Sequence, residues 1–281
     1  MISTEVLAIT YGLSSALTWG AGDFSGGVAT KRGNVFSVIL FSQVFGAIFL
    51  VGLALLFAEK IPRPDQLLWG GLAGMSGALG LIALYKGLAQ ERMGIVAPLS
   101  AVIMAILPIL FAAMTQGLPQ ISQLSGFGLA IFAVWFLSCD DSGAGIRFRE
   151  IWLAVGSGFG FALFFIFINR ASSDAILWPL VAARLASLTM MAVLSFTRGQ
   201  TGIPGKRLFP VIALAGILDA TGNAFFVLSA QLGRLDISAV LASLAPGTTV
   251  VLAWLILKER LRPRQWLGVG AALLALVLIS V

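Results

Sequence analysis

Long apolar runs separated by short polar breaks dominate the chain. The runs lie near residues 5–29, 35–57, 67–89, 94–115, 121–139, 151–170, 175–196, 208–231, 235–256 and 264–281. A bilayer core takes about 20 apolar residues per spanning helix, and these runs have that scale. The breaks carry charge, glycine or proline: Lys31-Arg32-Gly33-Asn34, Glu59-Lys60-Ile61-Pro62-Arg63-Pro64, Gly117-Leu118-Pro119, Asp140-Asp141-Ser142-Gly143, Arg198-Gly199-Gln200-Thr201-Gly202, and Lys258-Glu259-Arg260 onward. Membrane-spanning strands would show alternating segments of about ten residues, whereas these runs are continuously apolar. The pattern predicts an all-α membrane protein of ten transmembrane helices.

Composition agrees. Of 281 residues, 59% are hydrophobic and 11% are Asp, Glu, Lys or Arg, against about 25% charged in soluble domains. The mean hydropathy is +1.00. The single cysteine, Cys139, rules out an intramolecular disulfide, and histidine is absent. Zinc sites and Ser-His-Asp hydrolysis are therefore out of reach. No Gly-Lys-Ser/Thr phosphate loop is present, so nucleotide-driven pumping is not supported. No metal or cofactor is expected, and the chain is not expected to be an enzyme. The net charge of +6 sits in short clusters between apolar runs, not in the long basic stripe that nucleic acid would require. The expected partners are the bilayer and a small molecule. Met1 is followed by Ile-Ser-Thr-Glu with no basic segment, so the first run reads as a retained helix rather than a cleaved signal.

Loop charge gives an orientation. With ten spans both termini share one side, whose loops hold Lys60, Arg63, Arg170 and Arg234. The other side holds Lys31, Arg32, Lys86, Arg92, Arg147, Arg149, Arg198, Lys206, Arg207, Lys258, Arg260, Arg262 and Arg264. The positive-inside rule makes that side cytoplasmic and both termini extracytoplasmic, in the inner (cytoplasmic) membrane.

The ten runs divide into five and five, residues 1–142 and 143–281. The third run ends Ala83-Leu84-Tyr85-Lys86-Gly87-Leu88-Ala89-Gln90, and the eighth ends Phe225-Phe226-Val227-Leu228-Ser229-Ala230-Gln231. Each is followed by a basic loop and a small-residue helix with a late proline, Pro108 or Pro246. The fifth and tenth runs share Leu124-Ser125-Gly126-Phe127-Gly128 and Trp266-Leu267-Gly268-Val269-Gly270. An odd number of helices per half inverts one half relative to the other. Such inverted repeats recur in secondary transporters, where the halves exchange conformations around a central site.

Further motifs carry a family likeness over the full length. They are Trp19-Gly20 followed by Phe24, then Pro246, the exit Leu255-Ile256-Leu257-Lys258-Glu259-Arg260-Leu261, and Gln265-Trp266-Leu267-Gly268. In these the chain resembles the EamA-type branch of the drug/metabolite transporter superfamily, although Lys258 stands where that family usually has glycine. The resemblance implies a 5+5 inverted-repeat bundle around a central cavity that moves small organic metabolites by alternating access. Export of an amino-acid-like compound is part of that implication. A membrane-embedded enzyme and a channel remain the alternatives. A monomer suffices for a complete pathway, and a homodimer is compatible with it.

Polar residues inside spans are the natural site candidates, because hydrocarbon makes them costly, about 2.5–3.5 kcal/mol per charge on insertion scales. Asp219 and Arg184 lie mid-helix in consecutive runs and are placed to pair, either to bind the charged ends of a zwitterion, to form a gate that substrate breaks, or as a structural ion pair. Their first-half counterparts are Gln43 and a small residue near Gly77. Asp23 shares a helix face with Trp19. With Asp219 it is a candidate for proton coupling, since burial disfavours a charged carboxylate; the alternative for Asp23 is capping, or pairing with Lys31 or Arg32, near the interface. Asn223, one turn after Asp219, either touches substrate or bonds between helices. Trp19, Tyr85 and Phe161 are candidates for the cavity wall or for helix packing. Gly70, Gly74, Gly77 and Gly80, and Gly156, Gly158 and Gly160, read as close helix contacts. Pro98, Pro108 and Pro246 with Gly247 are hinge candidates, because proline removes a backbone donor.

Overall fold

Ser3 starts the first helix: its Oγ accepts the Val6 N–H, the N-cap arrangement that satisfies one orphan donor. Asn34 starts the second in the same way, taking the N–H groups of Phe36 and Ser37. The computed structural model describes residues 3–90, 93–138, 148–197, 199, 202–257 and 263–280. Within them the chain is helical. The helices are α1 (Thr4–Thr30), α2 (Val35–Leu56), α3 (Pro64–Gln90), α4 (Met93–Thr115), α5 (Ile121–Ser138), α6 (Phe148–Ala171), α7 (Leu177–Thr197), α8 (Phe209–Leu232), α9 (Leu235–Ala242), α10 (Ala245–Leu257) and α11 (Pro263–Ser280). No strand occurs among the described residues.

One run predicted as a single helix, 235–256, is two. It breaks at Ser243-Leu244 between α9 and α10. The cause is chemical: Pro246 has no N–H to give the Ala242 carbonyl. The Gly247 N–H donates to Leu244 O instead, at 2.9 Å. By contrast α4 runs unbroken through Pro98 and Pro108.

Among the described residues six stretches are long and apolar enough to cross a membrane: Phe36–Leu56, Pro64–Leu84, Ile151–Ala171, Leu177–Thr197, Lys206–Leu232 and Leu235–Ile256. Large side chains such as Leu17, Ile48, Leu79, Leu185 and Val193 are exposed on them and on α1. That is the surface of a multi-pass membrane protein, because water would penalise it. The more polar α1 is explained by its surroundings. It packs on α2, α8, α9, α10 and α11, and buries Ala8, Gly12, Ser15, Ala16, Gly20, Gly22, Ser25 and Ala29. Where it packs on these helices it needs small residues more than lipid-soluble ones.

The largest contacts join an early helix to a late one. α1 lies on α8 and α3 on α6; α9 and α10 lie on α1, as α4 lies on α6; α2 lies on α8, as α3 lies on α7. α5 meets α11, α2 meets α7, and α4 meets α9. Glycine makes these approaches close. A Cβ on Gly74 would stand 1.9 Å from Ala183 O of α7, and one on Gly216 would stand 2.0 Å from Ser42 O of α2. The Gly-rich row of α3 serves two neighbours: Gly70 and Gly74 face α7, whereas Gly77 and Gly80 face α6.

At one face of the bundle the connecting loops are tied together. α2 closes with a paired-turn cap in which Ala58 N–H donates to Leu55 O and Glu59 N–H to Ala54 O. Ala58 takes φ 48° there, the left-handed conformation this cap needs. The turn aims the Glu59 carboxylate at the start of α7, where it accepts the N–H groups of Ile176, Leu177 and Trp178. Trp178 Nε1 donates to Glu59 O in return, at 2.8 Å. Gln66 Nε2 reaches Ser173 Oγ and Asp174 Oδ2, both at 2.6 Å. Nearby, Arg170 lies over the Trp69 ring. On the same face, Arg234 forks onto the fully buried Asp236 and onto the carbonyls of Gln116 and Gly117.

Candidate functional site

The mid-helix charges meet where α1, α2, α7 and α8 converge. Arg184 of α7 is 6% exposed. Its Nη2 lies 2.5 Å from Asp219 Oδ2 of α8 as an ion pair, without the alignment of a hydrogen bond. Its Nη1 donates to Gln43 Oε1 of α2. The pair does not arise because α7 and α8 are adjacent in sequence, for those two helices barely touch. Both instead pack against α2, and two glycines thin the junction. A Cβ on Gly46 would sit 2.9 Å from Gly216 O and 3.6 Å from Arg184 Cζ. Gln43, expected only as the first-half counterpart of Arg184, turns out to be its direct partner. The two residues meet because α2 and α7 face each other.

The two ends of the ion pair differ. The Arg184 side chain is 7% exposed and that of Asp219 41%. The guanidinium is withdrawn among helices while the carboxylate reaches open space. Asp23 on α1 is also exposed. It makes no hydrogen bond or ion pair among the described residues, so the expected alternative of pairing with Lys31 or Arg32 is not realised there. Asp23 follows Gly22, which packs against α8 beside Asp219: a Cβ on Gly22 would stand 3.3 Å from Asp219 N. The cluster thus holds two carboxylates against one guanidinium.

Trp19 is fixed rather than free. Its indole stacks on Phe165 and Phe226 with centroids 5.6 and 5.9 Å away, and those two rings stack at 4.2 Å. Its Nε1–H donates to Asp219 O at 3.2 Å. Gly222 leaves the room it needs: a Cβ there would stand 2.4 Å from Trp19 Cδ1. Ser15 Oγ donates to the Gly222 carbonyl at 2.9 Å, drawing α1 and α8 together. Asn223 is buried one turn beyond Asp219. Phe161 stands apart from the indole, against Gly80 at the crossing of α3 and α6. Tyr85 of α3, Pro98 of α4 and Pro246 of α10 have side chains outside the described residues. Among the described residues no group of His, Cys, Asp or Glu is arranged to hold a metal ion.

Sequence reasoning missed Asp236 and Glu59. Asp236 carried a readable signal, an acid inside an apolar run two residues after Arg234. Glu59 carried none, since its partners lie 117 to 119 residues away.

No curated protein matches the chain. A protein of solved crystal structure superposes with a TM-score of 0.79 at 16% identity, covering 96% of this chain and 98% of its own; that is a likeness of fold alone. The model of the EamA-like transporter family matches twice, over residues 6–139 and 148–281. With nearly the whole chain matched, the protein belongs to the EamA-like transporter family of the drug/metabolite transporter superfamily, and is a multi-pass membrane protein of transporter type.

Proposed function

We propose that the protein is a secondary transporter that moves a small, amino-acid-like organic metabolite outward across the inner membrane by alternating access. Its ten spans, with α9 and α10 forming the ninth, make two inverted halves, residues 1–142 and 143–281. The termini lie outside, as the loop charges indicate. One chain holds the whole pathway.

The observation that carries this reading is the group Asp23, Gln43, Arg184 and Asp219, drawn from helices of both halves to one junction. Charge in a membrane interior is retained for a use. A zwitterion offers an ammonium to the carboxylates and a carboxylate to Arg184. Helix packing supports the repeat: exchanging each helix for its counterpart in the other half reproduces the largest contacts between the halves. The family matched twice by one model supports it as well. The tied loops at the terminus face are those of a state sealed on that side. Asp23 and Asp219 are the carriers of a coupling proton in this scheme.

Purified protein in liposomes provides the test. Preloaded amino acid should drive saturable counterflow of labelled amino acid. Asp23→Asn and Asp219→Asn should abolish stimulation by a pH gradient. Flux that never saturates, or shows no counterflow with amino acids, nucleosides or sugars, overturns the transporter reading. Gradient-driven flux that survives both substitutions removes the proton-coupling part.

A further inference from the structure

A second feature lies away from the charged junction. Where α1 ends and α8 begins, Arg32, Lys206 and Arg207 line one pocket of about 590 Å³. All three cations are exposed. None makes an ion pair among the described residues, and no acidic side chain is among the described lining residues. Val28, Leu208 and Val211 form its apolar part. The layers are ordered along the membrane normal. Lys206 opens the stretch Lys206–Leu232 that is apolar enough to span, and Arg32 lies just beyond the end of α1 at Thr30. The cations therefore sit at the membrane boundary, and Val28 and Val211 sit about one turn deeper.

Loop cations placed by charge bias alone need not converge. Here three converge on one concave site with an apolar lower wall, the complement of a molecule with an anionic head and an acyl tail. Basic pockets between membrane helices suit anionic headgroups. We propose that this pocket binds the phosphate headgroup of an anionic phospholipid, with the first segment of an acyl chain against Val28, Leu208 and Val211. The apolar wall favours the lipid over a free phosphate, which has no use for it.

Native mass spectrometry and thermal unfolding of detergent-purified protein test this, with phosphatidylglycerol, phosphatidylcholine, glycerol phosphate and inorganic phosphate as probes. Wild-type protein should retain phosphatidylglycerol and melt higher with it than with phosphatidylcholine. One cation near an anionic surface is worth roughly fivefold in affinity. The variant Arg32→Gln/Lys206→Gln/Arg207→Gln should therefore lose phosphatidylglycerol by on the order of 100-fold, and Lys206→Gln alone by about fivefold. The control Lys31→Gln/Lys60→Gln should bind as wild type. If the triple variant does not fold, the single variant decides. Unchanged phosphatidylglycerol retention in the triple variant, or in the single variant where that decides, overturns the proposal. So does equal loss in the control, or equal stabilisation by glycerol phosphate or inorganic phosphate at matched concentration.

Discussion

Removing either end of the Arg184–Asp219 pair should not cost the same, because the two ends are not equally buried. At an effective dielectric of about 20, unit charges about 4 Å apart attract by about 4 kcal/mol. Breaking a fully buried pair costs about 3–5 kcal/mol, much of it the penalty of the charge left behind. Asp219→Ala leaves Arg184, with a side chain 7% exposed, holding only the Gln43 oxygen. Its charge then loses its ion-pair partner, for Asp23 makes no ion pair with it among the described residues, and the loss should be about 3 kcal/mol. Arg184→Met leaves Asp219 instead, with a side chain 41% exposed. That carboxylate can be hydrated, so the loss should be about 1–1.5 kcal/mol after discounting for solvent screening. The double variant Arg184→Met/Asp219→Ala should recover part of the larger loss and show a coupling of about 1–2 kcal/mol. Intrinsic tryptophan fluorescence during thermal unfolding in detergent reads the effect. Asp219→Ala should lower the melting temperature by about 6–12 °C and Arg184→Met by about 2–6 °C, at about 2–4 °C per kcal/mol. Equal losses, or a larger loss for Arg184→Met, would refute the argument from unequal burial.

Other positions give separate tests. Ala58→Gly should stabilise the protein by about 1 kcal/mol, since the left-handed backbone costs a residue with a Cβ about that much; an unchanged or lowered melting temperature would contradict it. Glu59→Ala strips three N–H groups at the start of α7 of their acceptor and should cost about 1–2 kcal/mol. It should also speed labelling of a cysteine introduced at Lys60, and no change in that labelling would count against the loop tie. Gly222→Val forces the Trp19 indole out of its seat, so a shift in the fluorescence of the purified protein should accompany loss of transport. An unaltered spectrum would show that α8 yields instead. Arg234→Gln leaves Asp236 buried and unpaired, and should cost about 3 kcal/mol in thermal unfolding; a loss below about 1 kcal/mol would mean that water reaches that carboxylate.

The apolar runs alone established helices in a membrane, because a bilayer sets both the length and the polarity of a spanning segment. They placed Arg184 and Asp219 inside it, since intramembrane charge stands out against leucine and alanine. Internal likeness, such as the tails at Gln90 and Gln231, brought the family within reach. Which surfaces meet was another matter. Lipid tails are as apolar as leucine, so a helix face turned to lipid and one turned to a neighbour read alike. Gln43 therefore read as a counterpart of Arg184 and not as its partner, and Asp219 read as a neighbour of Arg184 through sequence order, whereas α2 is what brings them together. The break in the ninth run was half visible in Pro246, but its position followed from which carbonyl lost its donor. Glu59 and its three backbone donors on α7 could be joined only by the packed bundle, for no local pattern links a turn to a helix start more than a hundred residues away.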